Sequence, residues 1–240
     1  MGEHDYNTGL AIARNNYRMY AGLRSRQYNY YIEKTSPAEG QKEAFEAVQN
    51  FTDGFIDGDK PIGLLLVGGV GSGKTFMVSS VANSIIDDMK ISEDEAENAV
   101  EKTAVKGYSF WCARSKIPVH FISAIELMNQ LKACFNNSDS DDISHKIIET
   151  LQRVGLLILD DLGAEKASDW TSEKLFEIID YRYNEGLPLL VTTNCVPGEL
   201  KKQIGDRNFD RLREMCALVA VTAKSQRPTA ILKEKEKDNG

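Results

Sequence analysis

Ile62-Gly-Leu-Leu-Leu-Val-Gly-Gly-Val-Gly-Ser-Gly-Lys-Thr75 is an apolar run that empties into the spacing GxxxxGK[ST], with Gly68 and Gly73 in the two glycine positions. Chemistry dictates these residue types. Glycines let the backbone take positive φ and turn successive N–H groups onto one phosphate. The lysine ammonium reaches the β/γ oxygens, and the threonine hydroxyl is a hard oxygen ligand for Mg²⁺. Residues 64–67 suit a short, buried parallel strand. Behind the loop Met77, Val78, Val81, Ala82, Ile85 and Ile86 recur at helical spacing. Strand, glycine loop and helix put a helix N-terminus at an anion. The expectation is a nucleoside triphosphate held by Gly68, Gly69, Val70, Gly71, Ser72, Gly73, Lys74, Thr75 and the adjoining Phe76.

Outward from this stretch, strands are expected at 119–122, 156–159, 189–192 and 218–222. Helical patterns cover 41–51, 124–135, 143–153, 172–184, 197–204 and 208–215. Such alternation means an α/β fold with a parallel five-stranded sheet and helices on both faces. Ser36-Pro37-Ala38-Glu39-Gly40 is a break. The chain therefore divides into residues 1–35, a nucleotide domain over 36–223, and a flexible charged tail over 224–240.

Six of the nine tyrosines precede the break, interleaved with Arg14, Arg18, Arg24 and Arg26. Leu10, Ala13, Tyr17 and Tyr20 share one helical face. Aromatic residues with arginine suit a protein interface or a stacking platform for single strands; a helix packed on the main domain fits as well. The segment is expected to bind a partner and to order fully only there. Residues 87–101 hold seven carboxylates and open an acidic insertion running to 116, expected to be a solvated excursion.

No apolar stretch reaches membrane-spanning length and no signal-peptide core is seen, so a cytoplasmic protein without a membrane partner is expected. Cys112, Cys134, Cys195 and Cys216 are scattered, as are His4, His120 and His145, which supports neither a disulfide framework nor a zinc site. A net charge of −7 argues against a surface coated in nucleic-acid-binding charge, while leaving room for a local basic groove.

Leu156-Leu-Ile-Leu-Asp-Asp161 places two carboxylates at the end of a buried strand, on the ligand-binding edge of such a sheet. Asp160 is expected to hold Mg²⁺ opposite Thr75, and Asp161 to orient and deprotonate the attacking water. Asn194 closes the next strand at the same edge, where its amide can hydrogen-bond the γ-phosphate or the water. In the run 205–213, Arg207 and Arg211 lie at i, i+4. One such arginine can neutralise charge at a neighbouring subunit's nucleotide.

Together the loop 68–75, the run Leu156-Leu-Ile-Leu-Asp-Asp-Leu-Gly-Ala-Glu165, Thr192-Thr-Asn194 and Gly205-Asp-Arg-Asn-Phe-Asp-Arg-Leu-Arg213 resemble the DnaC/DnaI replicative helicase loaders. With the IstB transposition ATPases these form a branch of the AAA+ superfamily. The resemblance covers about residues 41–223. It implies a P-loop NTPase with the AAA+ three-layer αβα sandwich and the loop as Walker A. Asp160 becomes the Walker B metal residue, Asp161 the catalytic carboxylate, Asn194 sensor 1, and Arg211 an arginine finger acting in trans with Arg207 beside it. The two helices between 122 and 156 become an initiator-type insertion that approaches single-stranded DNA. The N-terminal region is shorter than the usual helicase-binding domain, and no helical lid is expected after Thr222. The implied activity is a slow, Mg²⁺-dependent ATPase that loads a hexameric replicative helicase onto single-stranded DNA, self-associating through ATP interfaces and releasing on hydrolysis. An IstB-like helper of a transposase, or a nucleotide-gated adaptor with negligible turnover, are the alternatives. Asp161, one methylene shorter than the usual glutamate, keeps the last one open.

Overall fold

Five apolar runs form one parallel sheet: β1 (Gly63–Gly68), β2 (Val119–Ser123), β3 (Leu156–Asp160), β4 (Leu189–Thr193) and β5 (Cys216–Val221), in the order β2-β3-β4-β1-β5. The structure, a computed structural model, describes residues 3–102, 117–134 and 140–227. Every residue of β3 and β4 is buried. Their unbroken Leu/Ile/Val character follows from being covered on both faces. Neighbouring residues of one strand enter opposite cores. Leu64, Leu66, Ile158 and Leu190 pack in one cluster, and Leu65, Leu157, Leu159 and Val191 in the other.

The first cluster is closed by α1 (Glu3–Tyr20), α2 (Lys42–Ile56) and α3 (Lys74–Asp88). The second is closed by α5 (Ala124–Ala133), α6 (Ser140–Arg153), α7 (Asp169–Asn184), α8 (Pro197–Ile204) and α9 (Asp206–Met215). This is the expected three-layer αβα sandwich. Helix α7 starts three residues ahead of expectation because Ser168 Oγ accepts from the Thr171 N–H and caps it. Among the described residues no helix is long and apolar enough to cross a membrane.

One fully buried cation ties the lower edge of the sheet. Arg182 in α7 donates to the carbonyls of Leu151, Gln152, Val154, Gly155 and Pro188. These lie at the end of α6 and just ahead of β3 and β4, so a single side chain sets where both strands start. Burial pushes its guanidinium down to about 9, which keeps it charged at neutral pH. The carbonyls of the last turn of α6 compensate that charge.

Three expectations are corrected. Within the expected segment 1–35, the described residues 3–35 do not stand apart. Ala13, Tyr17, Ala21, Leu23 and Ile32 sit in the first core cluster. Arg18 donates to Asn83 Oδ1 at 3.1 Å and pairs with Asp87, Gln27 Nε2 donates to Ser79 Oγ at 2.7 Å, and the Ile32 N–H donates to Ser80 Oγ at 2.9 Å. Asn83 Nδ2 returns bonds to the carbonyls of Gln27 and Tyr30. Helix α3 thus presents a buried polar flank, and the N-terminal segment satisfies it. Burial and the bond to Asp87 push the Tyr31 phenol up to about 12. The Ala21 carbonyl also accepts from the Phe121 N–H at 2.7 Å, shielding the outer edge of β2.

The acidic insertion is not wholly a solvated excursion. Asp87 belongs to α3, and α4 (Glu93–Lys102) packs on α1 with Ala96 and Ala99 buried. A Cβ at Gly9 would lie 2.5 Å from the Ala96 carbonyl oxygen, so glycine sets how closely these helices approach. Residues 103–116 lie outside the described residues. The tail does not fray at 224 either. The Gln226 N–H donates to the Gly71 carbonyl at 2.9 Å, which carries the chain across the phosphate loop. Residues 228–240 lie outside the described residues.

Candidate nucleotide site

Strand order puts the carboxyl ends of β1, β3 and β4 side by side, with the phosphate loop rising from β1 into α3. Gly71 and Gly73 take φ of +80° and +99°. A Cβ at Gly73 would meet Gln41 Nε2 at 2.6 Å, and that amide donates to the Ser72 carbonyl at 2.7 Å. Here glycine is needed both for conformation and for space.

Lys74 is buried at the mouth of α3. Its Nζ donates to the Gly68 carbonyl at 2.7 Å, the Gly69 carbonyl at 2.9 Å and Asn194 Oδ1 at 2.8 Å. Burial pushes the ammonium down, while Asp161 and Asp160 oppose the shift. Asn194 passes the chain on, its Nδ2 donating to Asp161 Oδ1. A continuous line therefore runs from the loop lysine through the strand-end amide to the second carboxylate.

A second line lies beside it. Thr75 Oγ1 donates to Asp160 at 3.0 and 3.1 Å, Thr192 Oγ1 donates to Asp160 Oδ1 at 2.7 Å, and the Asp161 N–H donates to Thr192 Oγ1 at 2.8 Å. Burial raises the Asp160 carboxyl above the usual carboxylate range, and the two hydroxyl donors pull it back. Asp161 takes φ of 58°, and no other non-glycine residue among those described has positive φ. Left-handed backbone at a non-glycine residue costs on the order of 1 kcal/mol and clusters at functional sites. Glu165 is buried close behind; its Oε2 accepts from the Gly163 N–H at 2.9 Å, and burial raises its carboxyl too.

The site opens into a cavity of about 1000 Å³. Beyond the loop it is lined by Arg26, Tyr30, Thr35, Gln41, Phe45, Phe76 and Arg227. The Phe76 ring lies 5.1 Å from Tyr30 and 6.4 Å from Phe45, centroid to centroid. This gives the cavity a charged end and an aromatic end, as a nucleotide requires. The residues fit ATP and Mg²⁺: the glycine loop and Lys74 for phosphates, and the hydroxyl of Thr75 with the carboxylate of Asp160 as a hard oxygen pair for the metal.

Of the residues expected at the site, the phosphate loop, Asp160, Asp161 and Asn194 are brought together. Arg207 and Arg211 lie outside the cavity on α9. Within the chain Arg211 pairs with Asp180, and its guanidinium lies 4.5 Å from the Tyr183 ring centroid. Arg207 is exposed and has no ion pair among the described residues. Sequence reasoning missed Gln41, Phe45, Thr192 as a partner of Asp160, and both cavity arginines. The tyrosine cluster at 28–31 was the one signal for the aromatic end; single residues such as Gln41 and Arg227 carry none.

A model of the IstB-like ATP binding protein family matches residues 102–236, more than half of the chain. The match takes in Asp160, Asp161 and Asn194 and leaves the phosphate loop as an independent indication. The replicative helicase loader DnaC of Escherichia coli (strain K12) is 24% identical over 185 residues, covering 77% of this chain and 61% of that protein. The replicative helicase loader DnaI of Bacillus subtilis (strain 168) is 27% identical over 158 residues, covering 65% and 41%. The chain spans about half the length of the curated relatives it matches. A crystal structure of the DnaC helicase loader superposes with a TM-score of 0.60 at 24% identity, over 82% of this chain and 99% of that one, which shows the shared fold.

Proposed function

Since the chain belongs to the family of IstB-like ATP binding proteins, we propose that it is an ATPase that loads a replicative DNA helicase onto single-stranded DNA. The observation that carries the ATPase reading is the unbroken hydrogen-bonded line Lys74–Asn194–Asp161 beside the Thr75–Asp160 pair. Lys74 and the loop N–H groups bind the phosphates, and Thr75 and Asp160 hold Mg²⁺. The metal supplies charge neutralisation at the phosphoryl oxygens. Asp161 takes the proton of the attacking water. Asn194 ties the two events together: when Lys74 exchanges the Asn194 carbonyl for phosphate oxygens, the amide is released to hold that water against Asp161.

Kinship to DnaC and DnaI supports the loader role; a hexameric helicase and single-stranded DNA are the partners proposed with it, and α5 and α6 the proposed DNA-facing insertion. The family model itself favours a second reading, an IstB-like helper of a transposase. Co-purification of the chain with a replicative helicase or with a transposase separates the two. For the nucleotide site, Lys74→Ala is expected to abolish tight ATP binding in an equilibrium titration while the fold persists, because Nζ contacts loop carbonyls and Asn194 rather than core. Unchanged affinity would remove the phosphate-loop assignment.

Protomers are proposed to associate side by side through their ATP sites, and Arg207 replaces Arg211 as the cation offered to the neighbour. Arg207→Ala should cut turnover of the assembled protein and leave its melting temperature unchanged. Arg211→Ala should instead melt about 2–8 °C lower, since it loses an ion pair and a ring contact of about 1–2 kcal/mol together. Loss of turnover confined to the Arg211 variant, with unaltered melting, would return the role to Arg211.

A further inference from the structure

Past β5 the chain turns back over the nucleotide site instead of leaving it. The Thr222 N–H donates to the Gly40 carbonyl at 3.1 Å, Ala223 is buried, and the Gln226 N–H donates to the Gly71 carbonyl at 2.9 Å. The segment is therefore fastened to the wall of the cavity at one end and to the phosphate loop at the other. Ser225 lies directly on Gly71: a Cβ there would sit 2.3 Å from Ser225 Oγ. Gly71 is thus shaped to receive this strap as well as to turn the loop.

We propose that residues 222–227 form a strap that is an integral part of the ATP site, and that Arg227 binds the nucleotide's phosphates in cis; this rests on the ATP-site reading above. Arg227 lines the same cavity as Lys74, and Arg26 lines it too. Three cations thus share a lining that contains one carboxylate, Asp161. Among the described residues neither Arg26 nor Arg227 has an ion pair. Cations that outnumber the counter-charge beside them repel one another, and the arrangement is satisfied by a polyanion between them. The proximity is felt at Lys74, whose ammonium is pushed further down by the charge of Arg227. An arginine fork is suited to two phosphate oxygens at once, which a second lysine would not match.

The test uses the full chain and titrates ATP, ADP and AMP against the wild type and the variants Arg227→Ala, Arg227→Lys and Lys74→Ala. Arg227→Ala is expected to weaken ATP about ten- to a hundredfold, with a smaller loss for AMP. Arg227→Lys should recover part of that loss, and the melting temperature without nucleotide should not move, because the side chain is exposed. Unchanged or tighter ATP binding by Arg227→Ala, with Lys74→Ala still defective, would overturn the role of Arg227 and leave the ATP site standing. Unimpaired binding by both variants would remove the ATP-site reading itself, and this inference with it.

Discussion

Asp161→Asn is expected to slow ATP hydrolysis by about 10²–10⁴ while leaving ATP affinity within about a factor of three, the scale of a lost general base. The substitution is clean for a geometric reason. Asp161 holds φ of 58°, and asparagine is the side chain that tolerates the left-handed region best after glycine. The backbone bond from the Asp161 N–H to Thr192 Oγ1 is unaffected, so Asp160 keeps its hydroxyl partners. What disappears is a group able to accept a proton from water. Phosphate release at saturating ATP, together with an equilibrium titration, checks both halves. Full turnover by the variant would move the role to Glu165, whose buried carboxyl is raised and lies in the same loop.

Deletion of residues 1–35 is expected to cost about 5–8 kcal/mol and to lower the melting temperature by more than about 10 °C, or to prevent folding. Tyr17, Leu23 and Ile32 are buried, each contributing about 1.5–3 kcal/mol. Their removal also strands Ser79, Ser80, Asn83 and Asp87 of α3 without the partners they hold. Against a total stability of about 5–15 kcal/mol this is a large fraction, and for a domain of this size each kcal/mol moves the midpoint by about 2–4 °C. The deletion removes Arg26, Tyr30 and Thr35 from the cavity as well, so any folded remainder should bind ATP weakly. Thermal denaturation of a chain starting at Ser36 decides it. A midpoint within a few degrees of the full chain would mean that the segment is an appendage after all.

The phosphate loop, the strand-end carboxylates and the five apolar runs were legible in the sequence because each is a local pattern. A parallel strand covered on both faces must be apolar throughout, as β3 and β4 are. A loop that turns N–H groups onto phosphate must carry glycines at fixed spacing, as Gly71 and Gly73 do. Even the meeting of Asp160, Asp161 and Asn194 follows from a rule of parallel sheets, since their strands end at one edge.

What could not be read was whatever depends on contacts between distant segments. Arg18 and Tyr31 look like an interface motif in isolation; they are spent on Asp87, far along the chain, because α3 buries a polar flank that needs donors. Arg207 and Arg211 are equivalent in sequence, one turn apart on α9. Only the position of Asp180 on α7 binds one and leaves the other exposed. The same holds for the strap: nothing in Ser225-Gln226-Arg227 signals a nucleotide, and the sheet alone decides that β5 ends beside the phosphate loop, where Gly71 has room for it. Local backbone and solvation demands set the elements and the phosphate loop; burial of polar groups across the fold set which charges remain free to act.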